Sequence, residues 1–600
     1  MKYRVFLFLA ACALIVIYLP YLNEDFFLID DASLVSIPQF QACSLKNFYH
    51  GFLLPGYHVD YYPVRELSYM FDRCLVGLNY FGLSGAWYRI HNLILFFGSV
   101  FFIFEILKKI KIQENFAFYS MLLVLWNPFF NESYLWISAR KDVLAVFFMS
   151  MSAFLFLKGM ESRRNKFFIF SLILFFLSLL SKATFVLLPL AFLVLFHLHK
   201  NKQERGYTLI ASFVGLSWAL FQSYFYSQYN NMSLNYPLLY KLKAASVSLF
   251  KICMGLFWDS FNLIDVCNWG EWVEIHESYI LPGIAIFLLV GFFVLREVKN
   301  KRHSHFFVFL FALVLWIPIS GLFFNHRNFY STRYYLPIMI WLVPLSFLFT
   351  ISKISSYRLK VFLTLGLTLF FLIQSFWSSH KKWSSNKNLI AFSFNQAPQN
   401  LANQTFYIQE LLNQKGWGQL NQAELLNLDS NIQSLYEKCF LETRKTTFSL
   451  CSIAMPVLLN EQVFSLIQNP KNKKTLLMDY IYFLKNFVKK NTPSSVERVT
   501  FNSEIVLFLS GSFEKKDINI DLIPKGHFVS VENRLNYWAA LCGLKRLNQA
   551  NVFLKNMIEK NLIYELELKD VISQLKNEQT RRMASDCYKK YKNQKMSFNN

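Results

Sequence analysis

Apolar runs of membrane-spanning length recur from residue 5 to residue 377, separated by short polar breaks; beyond residue 378 the periods become those of ordinary amphipathic helices. A perpendicular helical span needs roughly 20 predominantly apolar residues, so the first part of the chain predicts a polytopic membrane domain. The run from Val5 to Leu22 follows Lys2 and Arg4 and closes on Pro20-Tyr21-Leu22-Asn23-Glu24-Asp25, without a small-residue cleavage site. It reads as a retained helix rather than a removed leader. Further spans are expected over 88–107, 116–131, 142–158, 166–181, 183–199, 206–226, 279–295, 305–323, 334–351 and 358–377.

Residues 241–258 are a special case, because Lys251 lies in their middle. If they crossed, the basic loop Arg296 to Arg302 would fall on the opposite side from every other basic cluster. Those clusters are Lys108/Lys109/Lys111, Lys158/Arg163/Arg164/Lys166, Lys200/Lys202/Arg205 and Lys353/Arg358/Lys360. Read as an interfacial or re-entrant helix, the segment leaves all of them on one side, as the positive-inside rule requires. The result is about eleven spans, with the N-terminus in the cytoplasm and the C-terminus outside.

The expected fold class is therefore all-α. A helical membrane domain occupies residues 1–377, residues 23–87 form a first outer loop with amphipathic helices, and 378–600 form an extracytoplasmic helical, repeat-like domain. In that last part NYWAALCGLKRLNQANVFLKNMIEK followed by LIYELELKDVISQL reads as an antiparallel helix pair. Val499 to Leu509 fits either a strand or a buried helix. The remaining outer stretches are 132–141, 227–278 and 324–333, with a tight turn at Lys182 on the same side.

Composition agrees with this pattern. Only 16% of the 600 residues are charged against 54% hydrophobic, whereas a soluble domain carries about 25% charged residues. A net charge of +23 would point to nucleic acid in a soluble chain. Here most membrane-part cations sit in short loops, where cytoplasmic bias explains them without nucleic acid. The nine cysteines include Cys12 in the first span. Cys43/Cys74, Cys439/Cys451 and Cys542/Cys587 are candidate pairs in an oxidising compartment, and free buried thiols are the alternative. No CxxC or His/Cys metal spacing occurs.

Chemistry concentrates in the outer loops. Asp30-Asp31 follow the first span in FFLIDDASLV, and adjacent carboxylates beside a bilayer repel each other unless something uses them. Such a pair suits a general base towards a hydroxyl or a divalent cation; otherwise it caps a helix or faces solvent. The loop Asn127 to Asp142 crowds Glu132, Arg140, Lys141 and Asp142 together, either for acid/base work and phosphate binding or as an internal Arg140–Asp142 or Lys141–Glu132 ion pair that caps the next helix. Arg65, in Tyr61-Tyr62-Pro63-Val64-Arg65-Glu66-Leu67, and His91-Asn92 are polar at interface depth, while Arg89 suits a snorkelling role. Lys182 in LLSKATFVLLPL, His326-Arg327 and Arg333 are cations at a depth where each should meet an anion.

Taken in order, these elements resemble the multi-spanning GT-C glycosyltransferases, in particular the branch of transmembrane and tetratricopeptide-repeat O-mannosyltransferases and their bacterial relatives. The residues that carry the resemblance are Asp30-Asp31, Tyr62-Pro63-Val64-Arg65, His91-Asn92, the set Pro128, Glu132, Trp136, Arg140, Lys141, Asp142, Leu144 and Ala145, then Ser181-Lys182, and Arg333-Tyr334-Tyr335-Leu336-Pro337. The family's Ser-Lys-Glu is Ser181-Lys182-Ala183 here, so an acid is missing. The resemblance covers most of residues 1–400.

It implies transfer of a sugar from a polyprenyl-phosphate donor to a hydroxyl of a glycan, lipid or protein on the outer face of a bacterial inner membrane, with inversion at the anomeric carbon. Asp30, Asp31 and Glu132 are then the catalytic candidates. Arg65, His91, Asn92, Arg140, Lys141, Asp142, Lys182 and Arg333 are the substrate-binding ones, and no cofactor is required beyond a divalent cation that the carboxylates would suit. Two other classes fit a multi-spanning chain: an O-antigen ligase or polymerase, which would rely on Arg and His in a large outer loop, and a transporter or flippase of lipid-linked sugars, which would want mid-span charges and an inverted repeat.

Overall fold

The computed structural model describes residues 2–22, 48–49, 52, 61–76, 85–189, 202–229, 237–258, 265–266, 276–299, 316, 329–330, 332–352 and 354–396, with isolated positions between 404 and 589. Among these the chain is helical: α1 (Lys2–Leu22), α2 (Pro63–Val76), α3 (Gly85–Lys109), α4 (Glu114–Leu125), α5 (Asn131–Leu135), α6 (Arg140–Ser162), α7 (Asn165–Ser181), α8 (Lys202–Tyr229), α9 (Leu238–Gly255), α10 (Ile280–Lys299), α11 (Leu336–Ser352), α12 (Tyr357–Ser378) and α13 (Asn386–Gln396). The stretches Lys2–Leu22, Gly85–Lys109, Ile137–Ser162 and Tyr357–Trp383 are long and apolar enough to cross a membrane, and shorter apolar helices accompany them. The one departure from helix among the described residues is an antiparallel pair of two-residue strands, β1 (Asp265–Val266) and β2 (Phe329–Tyr330), which joins two of the expected outer stretches.

One expected span is shorter than its apolar run. The run 116–131 is helical only to Leu125. Pro128 has no N–H to donate, and the Asn127 side chain accepts from the Phe129 N–H at 2.9 Å, starting a single 3-10 turn at Pro128–Phe130. The chain then enters α5, a second 3-10 turn at Ile137–Ala139, and α6 without ever leaving the protein interior.

The described bundle has two charged ends. At one, the guanidinium of Arg4 grips the Glu105 carboxylate through two bonds of 2.7 Å, Lys108 reaches Glu114 at 2.9 Å, and Lys109 pairs with Glu161. This gathers the start of α1, the end of α3, the start of α4 and the end of α6. At the other end lie the start of α3 and α6 and the finish of α1, α7 and α12. Arg89 has a structural role, fully buried rather than snorkelling: it donates to the carbonyls of Leu22 and Leu135, both at 2.9 Å, and so caps α1 and α5 together.

Between the ends, small hydroxyls hold helices together where the hydrophobic effect gives no preference for protein over lipid. Ser152 and Ser171 each donate to the other's carbonyl, at 2.7 and 2.9 Å, and Ser178 donates to the Ala145 carbonyl at 2.7 Å, locking α6 to α7. The Asn131 carboxamide oxygen accepts from Tyr18 at 2.8 Å, Tyr134 at 2.6 Å and Ser375 at 3.2 Å, joining α1, α5 and α12 in one knot. Segment 241–258 forms α9, with Lys251 fully buried beside His276 at 3.4 Å. Gly283 of α10 lies so close to α9 that a Cβ there would stand 2.0 Å from the Ser246 carbonyl oxygen.

Past α12 the chain makes one π-helical turn, Ser379–Trp383, and continues into α13. Ile408 and Ile432 join the same apolar core as the membrane helices, and Trp538, Ala550 and Leu554 are helical and buried. The rest of the expected repeat-like domain, Val499 to Leu509 included, lies outside the described residues.

Candidate functional site

Helix α2 begins with Pro63, whose missing N–H costs nothing at a first helical position, and it presents Arg65, Tyr69 and Asp72 at i, i+4 and i+7, on one face. All three are buried. The α3 start adds Tyr88, His91 and Asn92, and the α6 start adds Arg140, Lys141 and Asp142. Consecutive residues of one helix diverge by about 100°. Arg140, Lys141 and Asp142 therefore meet three different neighbours.

Arg140 is fully buried and its guanidinium is taken up by protein. Nη1 donates to Asp72 Oδ2 at 2.8 Å, Nη2 to the Tyr88 carbonyl at 2.8 Å, and Nε to Asn92 Oδ1, while its face lies over the Tyr69 ring at 5.2 Å. The other Asp72 oxygen is bonded to His91 Nδ1. Asn92 completes the network by donating to the Trp136 carbonyl at 3.1 Å. The expected Arg140–Asp142 pair does not form: the Asp72–Arg140 pair replaces it.

Asp142 turns to the α7 side, where its Oδ1 accepts from Lys182, whose ammonium also stands 4.4 Å from the centre of the Tyr334 ring. The Asp142 Oδ2 has no hydrogen-bond partner among the described residues although the residue is fully buried. Lys141 turns to α2, its Nζ 5.6 Å from the Tyr62 ring centre; the Arg65 guanidinium lies 5.5 Å from the same ring and donates to Glu66. Glu132 is buried in α5.

Seven of the residues singled out in the sequence as substrate-binding thus converge on one end of the bundle: Arg65, His91, Asn92, Arg140, Lys141, Asp142 and Lys182. Asp30 and Asp31 lie outside the described residues, as do the side chain of Arg333 and the pair His326-Arg327. Two residues were missed. Asp72 and Glu66, the carboxylates that partner Arg140 and Arg65, look like solvated charges in PVRELSYMFDRCLV until the i, i+4, i+7 face is recognised as buried.

The described residues do not fit a divalent cation. No three His, Cys, Asp or Glu side chains come together among them, both Asp72 oxygens are engaged, and the better-placed Asp142 is already neutralised by Lys182. Cys74, near the end of α2, is disulfide-bonded to a residue outside the described ones, whereas Cys12 and Cys253 are free thiols.

Residues 76–225 match the family model described as dolichyl-phosphate-mannose-protein mannosyltransferase. The matched stretch holds His91, Asn92, Glu132, Arg140, Lys141, Asp142 and Lys182 and ends before Arg333. No curated protein and no solved structure gives a match. The family match supports a GT-C membrane glycosyltransferase, and with the apolar helices it supports a multi-pass membrane protein.

Proposed function

We propose, with a GT-C membrane glycosyltransferase as the premise, that this protein moves a hexose of the mannosyl type from a polyprenyl-phosphate donor to an acceptor hydroxyl at the outer face of a bacterial inner membrane. The observation that carries the reading is the gathering of Arg65, Arg140, Lys141 and Lys182 at one end of an apolar bundle. Each buried cation there is costly unless it is held by a carboxylate or serves an anion. A lipid-linked donor stays anchored in the bilayer, so its phosphate presents itself at the interface, at the depth of these side chains.

In the transfer, the acceptor oxygen forms a bond to the anomeric carbon as the bond from that carbon to the phosphate oxygen breaks. The acceptor's proton goes to a carboxylate, and the electron pair of the broken bond goes to the leaving phosphate. Lys141 and Arg65, side by side over Tyr62, are the cations assigned to that phosphate; fixed charges of this kind favour the state in which charge has developed. Asp30 and Asp31 are the candidates for the base, with Glu132 as the alternative. Arg140, whose guanidinium nitrogens are taken by Asp72, Tyr88 and Asn92, sets the shape of the site together with Lys182.

The outward orientation is supported by the disulfide at Cys74, because such bonds persist in oxidising compartments. It is also supported by the basic clusters of α3, α6 and α7, which sit at the opposite end. The C-terminal part, from residue 378, would then face outward beside the acceptor.

The test is reconstitution of the full chain in proteoliposomes with polyprenyl-phosphate mannose and a membrane extract from a strain lacking the gene. Label should pass from donor to a component of that extract, and Asp30→Asn or Asp31→Asn should abolish transfer while donor still binds. A transporter would move donor across the bilayer in both variants and leave it unconsumed.

A further inference from the structure

His91 is the one partly open member of a cluster whose other members are sealed. The side chains of Asp72 and Arg140 are 0% exposed, while that of His91 is 21% exposed. Both of its described hydrogen-bond contacts are made by Nδ1, one with Asp72 Oδ1 and one at 3.0 Å with Arg140 Nη1. The ionised carboxylate is an acceptor only, and it makes the closer of the two contacts, so Nδ1 must carry the proton and donate it to Asp72. In that tautomer Nδ1 has no lone pair with which to accept from Arg140, whose Nη1 donates instead to Asp72 Oδ2 at 2.8 Å.

The consequence falls on the other ring nitrogen. Nε2 makes no hydrogen bond among the described residues. In the neutral ring it is left with a lone pair and only an acceptor's role, and the ring cannot turn without breaking its bond to the buried carboxylate. His91 also stands one turn before Ile94, which is 57% exposed on α3, so the part-open imidazole lies beside the exposed stripe of that helix. An acceptor on an oriented ring is of little use to a phosphate. It suits a hydroxyl.

We propose that Asp72 is a positioning residue that fixes the His91 ring, and that His91 Nε2 accepts a hydrogen bond from a substrate hydroxyl, either of the transferred sugar or of the acceptor. This rests on the glycosyl-transfer reading above and adds to it a site for a neutral hydroxyl beside the cations for the phosphate.

Two variants separate this from a structural role. His91→Asn keeps an N–H near Nδ1 for Asp72 and removes the acceptor at Nε2. His91→Gln reaches the Nε2 position with a carbonyl oxygen and gives up the Asp72 contact. In proteoliposomes with polyprenyl-phosphate mannose, His91→Asn should lower kcat/KM by about tenfold, the value of one lost hydrogen bond. His91→Gln should recover only part of that loss, about threefold, the remainder being the positioning that the Asp72 contact supplies. Weaker donor binding in His91→Asn assigns the hydroxyl to the sugar; unchanged donor binding with slower transfer assigns it to the acceptor. If His91→Asn transfers as fast as the wild type, or better than His91→Gln, the proposal is overturned. A wild-type protein that consumes no donor would instead overturn the reading on which it rests.

Discussion

At the scale of single residues, the buried charges at the starts of α2, α3 and α6 divide into carboxylate-bonded pairs and cations that stack on an aromatic ring. Asp72 and Arg140 belong to the first kind: breaking a buried pair costs more than the pair itself contributes, because the surviving charge is stranded. Asp72→Ala should lower stability by about 3–5 kcal/mol, seen as a fall in apparent Tm in detergent, and the double change Asp72→Ala with Arg140→Met should regain most of it. Lys141 belongs to the second kind. Lys141→Ala should cut transfer from polyprenyl-phosphate mannose by about a hundredfold, the effect of removing one group aimed at developing charge. The sequence made the cations legible because each interrupts an apolar context. It hid their partners: Asp72 lies 68 positions from Arg140, and Lys182 lies 40 from Asp142, so for Arg140 and Asp142 a pairing within one loop gives way to partners on other elements. Only tertiary contact separates those choices.

At the scale of elements, apolar run length located the described helices but not their ends, while most of the expected spans 183–199 and 305–323 lies outside the described residues. A run of Phe and Leu says nothing about where hydrogen bonding stops; Pro128 and the Asn127 cap decide that, and they shorten α4 relative to its apolar stretch. Helix α2 was legible as amphipathic, yet its buried face is built from Arg65, Tyr69 and Asp72 rather than from aliphatic side chains, so a scale that counts them as polar places the face outward. Close approach between helices was not legible either. Gly283 and Gly291 are alike in the sequence, but the first touches the backbone of α9 and the second has no atom within 4 Å of an added Cβ. Gly283→Leu should therefore lower the apparent Tm, by about 1–3 kcal/mol in stability terms, because a backbone carbonyl cannot yield as a side chain can. Gly291→Leu should leave it unchanged. The same thermal melt reads both.

For the whole molecule, the arrangement of charge at two ends makes the proposed orientation testable. The Arg4, Glu105, Lys108, Glu114, Lys109 and Glu161 cluster carries the basic loops, and the opposite end carries the oxidised Cys74. In intact cells a membrane-impermeant maleimide should label Glu277→Cys, in the exposed turn that begins α10, and should reach Lys111→Cys, in the turn between α3 and α4, only after permeabilisation. The reverse pattern would turn the site inward and remove the case for an outer-face acceptor.

The knot at Asn131 ties the start of the chain to a residue synthesised much later, since Tyr18 also hydrogen-bonds Ser375 directly. While the ribosome is still short of that serine, the earliest segment sits in the lipid with its phenol and its carboxamide partner incompletely satisfied. Nascent chains arrested before α12 emerges should thus be open bundles, exposed to quality-control proteases. Release of α12 from the translocon is the event that closes them.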